Sequence, residues 1–366
     1  MKVLFTTNIP SPYRVDFFNE LGKYCDLTVI FENAAAKDRD NKWKPDAFKN
    51  FNAVFLKGLR VGAAEAFCPK VIKYIKDKSY DVIVIGMYST PTGMLAVQYL
   101  RNHSIPFIIS SDGGMAKADS GVKYKIKKHF ISSADGWLST GKITSEYLQH
   151  YGADADKIYV YPFTSVSRND IIAQPLSLEN KQKYRDELDI KEEFIFLSVG
   201  QFIYRKGYDV LLNASKDINK NIGIYVVGGK PTEEYECLIK QFNLNNVHFI
   251  DFMSKRELSR YYKASDIFVL PTREDIWGLV INEAMSYGLP VITTDKCVAG
   301  IEMVHDGLNG FIIPADNIDA LKSSLNKAVN YKFDSNISLK TAREYSIENM
   351  VQKHMDVFDK FIKCRM

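Results

Sequence analysis

Cysteine is sparse in this chain. The five that occur, Cys25, Cys68, Cys237, Cys297 and Cys364, are scattered and form no CxxC pair. That argues against a structural zinc site and fits a reducing cytoplasm. No apolar run reaches the roughly 18 residues that a membrane-spanning helix needs. The opening MKVLFTTNIP is apolar only briefly and stops at polar residues and proline, so it reads as a strand and not as a signal peptide. The six histidines (His103, His129, His150, His248, His305 and His354) are too far apart to form a ligand cluster, and no DxD-type motif stands at a strand end. Metal-independent chemistry is therefore the expectation. Low-complexity tracts are also missing. With 46% hydrophobic and 25% charged residues, the chain reads as globular and not as disordered.

At 366 residues the chain is too long for one ordinary core and points to two domains. The net charge of +4 hides an asymmetry: residues 1–165 hold an excess of lysine and arginine, and the remainder is slightly acidic. A basic amino-terminal half suits an anionic partner there, such as a membrane surface or a phosphate-bearing acceptor. A solvated basic surface accounts for the same excess. The stretch Lys117–His129 interleaves Lys117, Lys123, Lys125, Lys127 and Lys128 with Tyr124, Ile126, Phe130 and Ile131, a pattern for an interfacial helix on anionic lipid.

Short β-rich runs alternate with helical patterns along the whole length. The first series is Lys2–Thr7, Asp26–Phe31, Asp81–Gly86, Pro106–Ser110, Gly136–Ser139 and Ile158–Tyr161. Helical stretches such as Tyr13–Lys23, Cys68–Lys78 and Pro91–Asn102 lie between these runs. The second is Phe194–Gly200, Ile222–Gly228, Val247–Phe249, Ile267–Leu270, Pro290–Thr294 and Gly310–Ile313. Such alternation implies βαβ units and parallel sheets, here two doubly wound domains. The expected division is 1–165, a polar linker over 166–190, and 191–345. A terminal helix over Ser346–Lys363 carries a stripe of Met350, Met355, Val357, Phe358 and Phe361 and would pack back on the first domain. Ligands of such sheets bind at the carboxyl ends of strands, and a cleft between the domains is the expected site.

The segment Val269–Thr294, VLPTREDIWGLVINEAMSYGLPVITT, carries the chemistry. Asp275 and Glu283 stand eight apart, on either side of Gly278 and a helix start. A helix start offers free N–H groups and a positive dipole end to phosphate, here through the amides of Leu279 and Val280. Carboxylates accept hydrogen bonds from sugar hydroxyls. Glu274 adjoins Asp275 and is the alternative acid; the spacing to Gly278 and Glu283 favours Asp275. Trp277 reads as a packing residue.

This segment resembles the signature of the retaining glycosyltransferases of family 4, with two acidic residues separated by seven and then a GLPVI-like strand. Further blocks are similar to that family in the same order: SVGQFIYRKGYDVLLNA (198–214), IYVVGGK (224–230), VHFIDFMSKRELSRYYKASDIFVLPT (247–272) and VAGIEMVHDGLNGFIIP (298–314). The resemblance implies the GT-B fold, two Rossmann-like domains facing a central cleft. It implies that Lys206 contacts a donor diphosphate. Many relatives place an arginine five residues before that lysine; this chain has Gln201 there, with Arg205 as the neighbouring cation. It implies that Glu283 binds the ribose, Asp275 faces the donor sugar, and Phe252 and Met253 flank the base. Gly300 and Glu302 come near the next strand end.

The amino-terminal half matches more loosely. At Ser111-Asp112-Gly113 relatives often have His-Asp; Asp112 is the candidate to orient an acceptor hydroxyl, and a turn-forming Asp-Gly is the other reading. Arg14 opens the first helix, where it could meet a phosphate. The implied activity is retaining glycosyl transfer from a UDP- or GDP-linked sugar to a glycan or lipid-linked acceptor in bacterial surface polysaccharide synthesis, at the cytoplasmic face of the membrane. No cofactor beyond the donor and no nucleic-acid partner is expected. A GT-B epimerase, an inverting transferase and a non-catalytic nucleotide-sugar-binding protein are the alternatives.

Overall fold

The computed structural model describes residues 1–34, 47–62, 65–116 and 119–365. It forms two compact units, Met1–Ser165 with Ser346–Met366, and Val166–Tyr345.

In the first unit the elements run β1 (Lys2–Thr7), α1 (Pro12–Leu21), β2 (Asp26–Phe31), β3 (Asn52–Phe55), β4 (Leu59–Arg60), β5 (Ala66–Phe67), α2 (Val71–Ile75), β6 (Val82–Ile85), α3 (Pro91–Asn102), β7 (Ile108–Ser110), α4 (Gly121–Ile131), β8 (Gly136–Ser139), α5 (Lys142–His150) and β9 (Ile158–Val160). Seven strands form one sheet in the order β3-β2-β1-β6-β7-β8-β9, and β4 pairs with β5 as a separate antiparallel hairpin. Runs such as VIVI in β6 are apolar throughout because helices cover both faces of a parallel sheet.

The second unit continues with α6 (Leu178–Glu187), β10 (Phe194–Val199), α7 (Tyr208–Ala214), β11 (Ile222–Val227), α8 (Glu233–Phe242), β12 (Val247–Ile250), α9 (Lys255–Ala264), β13 (Ile267–Leu270), α10 (Leu279–Ser286), β14 (Val291–Thr294), α11 (Val298–Met303), β15 (Gly310–Ile313), α12 (Ile318–Val329) and α13 (Ser335–Glu344). Its six parallel strands are ordered β12-β11-β10-β13-β14-β15. Both sheets therefore reverse direction beside their first strand, the switch point at which doubly wound sheets bind ligands. Phe196, Leu211, Val226, Ile292 and Leu325 belong to the core of the second unit; truncating one such side chain to alanine costs about 2–5 kcal/mol.

The last helix, α14 (Ile347–Lys363), belongs to the first unit. The Ser346 side chain caps it by accepting from the Asn349 amide. His354 sits in its buried stripe in place of the expected Met355, and its ring lies 4.7 Å from Phe17 and 4.6 Å from Tyr161. Other expectations also shift. Residues 166–190, read as linker from their polarity, lie within the second unit, where Arg185 of α6 is buried against Asp266 at 2.6 Å. The helix expected over Cys68–Lys78 is confined to α2, because Cys68–Lys70 is taken up in leaving β5. Strand β3 and the hairpin did not register in the sequence. They are short and largely exposed, and have no continuous apolar run. Among the described residues, no helix is long and apolar enough to cross a membrane.

Candidate functional site

The carboxyl ends of β10 and β13 flank the switch point of the second sheet. Beyond β10 the chain makes a 3-10 turn, Tyr204–Lys206, and leaves it through Gly207 in the left-handed region (φ 68°). A Cβ at Gly207 would stand 2.1 Å from the Pro271 carbonyl oxygen, so glycine is required by both backbone angle and space. Beyond β13 comes the loop that carries Asp275.

These two loops bring the expected residues together. Lys206 Nζ donates to Asp275 Oδ2 at 2.6 Å, and Arg205 approaches the same oxygen at 3.3 Å. Lys206 and Asp275 are both only 8% exposed, whereas Arg205 is largely open to solvent. Burial alone would raise the Asp275 carboxyl. The Lys206 ammonium and the Arg205 guanidinium outweigh it and hold the group below its ordinary range. Asp275 is thus kept ionised and has no proton to donate. The backbone carbonyl of the neighbouring Glu274 accepts from Arg205 at 2.8 Å.

The Asp275 loop is fixed along its length. The Asp275 amide donates to the Lys296 carbonyl at 2.9 Å, Val298 donates to the Asp275 carbonyl at 3.1 Å, and Ala299 donates to that of Trp277 at 2.8 Å. Gly278 follows with φ 106° and opens α10. A Cβ there would come 2.8 Å from Cys297 Sγ. Cys297 donates its own thiol to the Trp277 carbonyl at 3.2 Å; burial, then the Asp275 carboxylate, pushes that thiol up to about 12. Trp277 is 2% exposed and bonds Asn282, consistent with packing. Gly300 is buried in α11, where a Cβ would meet Thr293 at 2.4 Å.

Leu279 and Val280 form the first turn of α10, and Glu283 follows one turn later. The Tyr262 hydroxyl donates to Glu283 Oε2 at 3.1 Å. Burial, then the neighbouring carboxylate, raises the Tyr262 phenol well above its ordinary value, so it remains a donor. Glu283 lines a pocket with Lys255, Leu258 and Tyr287. Phe252 and Met253 are half-buried just beyond β12, at the carboxyl edge of the same sheet. Neither Tyr262 nor Cys297 stood out in the sequence as a partner, because Tyr262 lies on α9 and Cys297 at the start of α11, both outside the Asp275 loop.

Asp112 lies in the first unit, beyond β7. It pairs with Arg14 of α1, which is 5% exposed. Burial disfavours the Arg14 charge, but the Asp112 carboxylate more than restores it. Tyr161 donates to Asp112 Oδ1 at 3.4 Å and to the Ser111 carbonyl at 3.3 Å. Of the basic stretch, Lys117 lies outside the described residues. Lys123, Lys125, Lys128, Val122 and Ile126 of α4 are exposed, and Lys127 is tied to Asp119 at 2.9 Å.

Residues 180–347 match the family model described as glycosyl transferases group 1. The chain is 32% identical to an uncharacterized protein in the cps region of Klebsiella pneumoniae, over 40% of this chain and 42% of that one. It is 22% identical to O-antigen chain mannosyltransferase C of Escherichia coli, over 92% of this chain and 90% of the other. Curated relatives near 30% identity are matched over only 38% to 52% of their own length. In structure the chain is similar to HepE of Anabaena, solved with UDP (TM-score 0.79, 16% identity, 98% of this chain and 100% of that one). A glycosyltransferase from Rickettsia africae is equally extensive in its likeness (TM-score 0.77, 17% identity, 99% of each chain). The fold is GT-B.

Proposed function

We propose that the protein is a retaining glycosyltransferase, a reading supported by the match of residues 180–347 to the family model of the group 1 glycosyl transferases. It moves a sugar from a UDP- or GDP-linked donor to a glycan or lipid-linked acceptor in bacterial surface polysaccharide synthesis. The observation that carries this reading is the Lys206–Asp275 pair, 2.6 Å apart at the switch point of the second sheet, with Arg205 beside it and the start of α10 a few residues on.

Two cations face one carboxylate there, an excess of positive charge suited to a diphosphate. Lys206, Arg205 and the amides of Leu279 and Val280 bind it and offset the charge that grows as it departs. Asp275, held ionised, accepts from a hydroxyl of the donor sugar and keeps the Lys206 ammonium directed at the site. Glu283 takes the ribose hydroxyls. In same-face transfer the bond from the anomeric carbon to the diphosphate breaks, and the acceptor oxygen bonds that carbon on the same face. The acceptor proton passes to the departing diphosphate. No covalent nucleophile and no metal are required. Asp112 orients the acceptor hydroxyl from the first unit. The exposed lysines of α4, with Val122 and Ile126 between them, give that unit an affinity for anionic lipid at the cytoplasmic face.

The test is a donor screen. Purified protein is incubated without added metal with UDP-, GDP-, ADP-, CMP- and dTDP-sugars, with and without a lipid-linked glycan acceptor, and released nucleotide is measured. Release from a UDP- or GDP-sugar that quickens with acceptor is expected. Failure of every nucleotide to be turned over or to shift the melting temperature would overturn the donor-site assignment.

A further inference from the structure

Lys206 is set on a three-residue 3-10 turn that has few internal bonds of its own. That turn is instead held from outside, by one side chain that the account of catalysis leaves unused. Arg273, in the loop after β13, is buried to 13% side-chain exposure. Its Nη1 donates to the Tyr204 carbonyl at 2.7 Å, and its guanidinium lies 3.9 Å over the Tyr204 ring. Its backbone amide donates to the Arg205 carbonyl at 2.8 Å, an oxygen that also accepts from Thr272 Oγ1 at 2.9 Å. The guanidinium is anchored in turn by a two-pronged bond to Asp209 at 2.8 and 2.6 Å, and by Asp316 at 2.5 Å. Asp209 stands in the first turn of α7, which begins directly after the Lys206–Gly207 turn.

We propose that Arg273 is a positioning residue, locking the Tyr204–Lys206 turn to the Asp275 loop so that the Lys206 ammonium is held toward Asp275 and the donor diphosphate. The inference rests on the reading of Lys206 given above. The chemistry favours arginine for this task. A planar fork can serve Asp209 with two nitrogens, Asp316 with a third and a carbonyl as well, while its face lies on a ring; a lysine ammonium cannot. Arg273 does not touch substrate. Its effect passes through Lys206, and a misplacement of that group by about 1 Å is enough to cost on the order of a hundredfold in rate.

Arg273→Lys keeps the charge and tests the fork. Protein carrying nitrogen-15 lysine is observed by NMR, with the Lys206 ammonium signal identified by its loss in Lys206→Met. Nucleotide release is measured in parallel. A held, slowly exchanging Lys206 signal is expected in the parent protein, and its loss or displacement in Arg273→Lys at an unchanged melting temperature. Release should fall about tenfold or more with donor KM altered less than about threefold. In a Lys206→Ala background the Arg273→Lys change should add nothing. A folded Arg273→Lys protein with the Lys206 signal unmoved would overturn the proposal, as would rate losses that multiply in the double variant. An unprotected Lys206 ammonium in the parent protein also contradicts it. Should the parent protein turn over no donor at all, the functional reading fails, and the Lys206 signal alone then decides the positioning role.

Discussion

The two units share one strand order and arm their switch points differently. Each sets a cation from beyond its first strand against an aspartate beyond a later one: Arg14 against Asp112 in the first unit, Lys206 against Asp275 in the second. In the second unit Arg205 adds another cation, the loops are tied backbone to backbone, and a helix starts alongside. In the first unit the pair is one to one, and Tyr161 donates a neutral hydrogen bond to it. Excess positive charge suits a departing diphosphate; a balanced pair suits an uncharged hydroxyl. On the proposed reading a common fold hosts two tasks, and the loops at the strand ends distinguish them.

The largest expected effect breaks the second unit's pair. Lys206→Ala should lower nucleotide release by about 10²–10³-fold. It should also lower the melting temperature, because Asp275 then keeps a buried charge with only the more exposed Arg205 beside it. The first unit should respond differently. Asp112→Asn should slow transfer to a sugar acceptor about tenfold or more, through lost orientation, and leave donor hydrolysis without acceptor unchanged. Equal losses in both reactions would erase the distinction between the units.

The remaining effect is on stability and not on rate. In the first unit two buried titrating groups each have an oxygen or nitrogen that finds no hydrogen-bond partner among the described residues, Glu32 Oε2 and His354 Nε2. Burial pushes the Glu32 carboxyl up to about 7 and the His354 imidazole down to about 4. His354 is stabilising while neutral, so its contribution is present above about pH 6.5 and lost as pH falls towards 4. Glu32 is stabilising while protonated, so its contribution is present below about pH 4 and lost as pH rises through 7. The two slopes oppose each other between these limits. Glu32→Gln removes one of them, and in urea unfolding of that variant His354 should contribute about 3 kcal/mol of the fall in stability from pH 7 to 4. A fall that is unchanged when His354→Gln is added would show that His354 does not titrate with folding.

Sequence reading captured what rests on local pattern. Apolar runs bounded by glycine and proline marked the parallel strands, because a strand covered on both faces must be apolar throughout. The spacing of Asp275, Gly278 and Glu283 marked one loop at the strand ends, and the family resemblance marked Lys206 in the other. Contacts between distant segments left no such trace. Arg273 drew no reading of its own, although it reaches Asp209 and Asp316. His354 read only as one of six scattered histidines, although it is fully buried between Phe17 and Tyr161. The segment 166–190 misled for the same reason: its polar composition hides Arg185, whose burial is made tolerable by Asp266 and two backbone carbonyls.

Calorimetric titration with UDP and GDP tests the central claim, that the second unit holds the donor. The account predicts that at least one of them binds the parent protein. Lys206→Ala and Glu283→Ala should each weaken that binding about tenfold or more, for the lost charge-assisted bonds, and Asp112→Ala should leave it unchanged. Nucleotide binding that ignores Lys206 and Glu283, or that depends on Asp112, would contradict it.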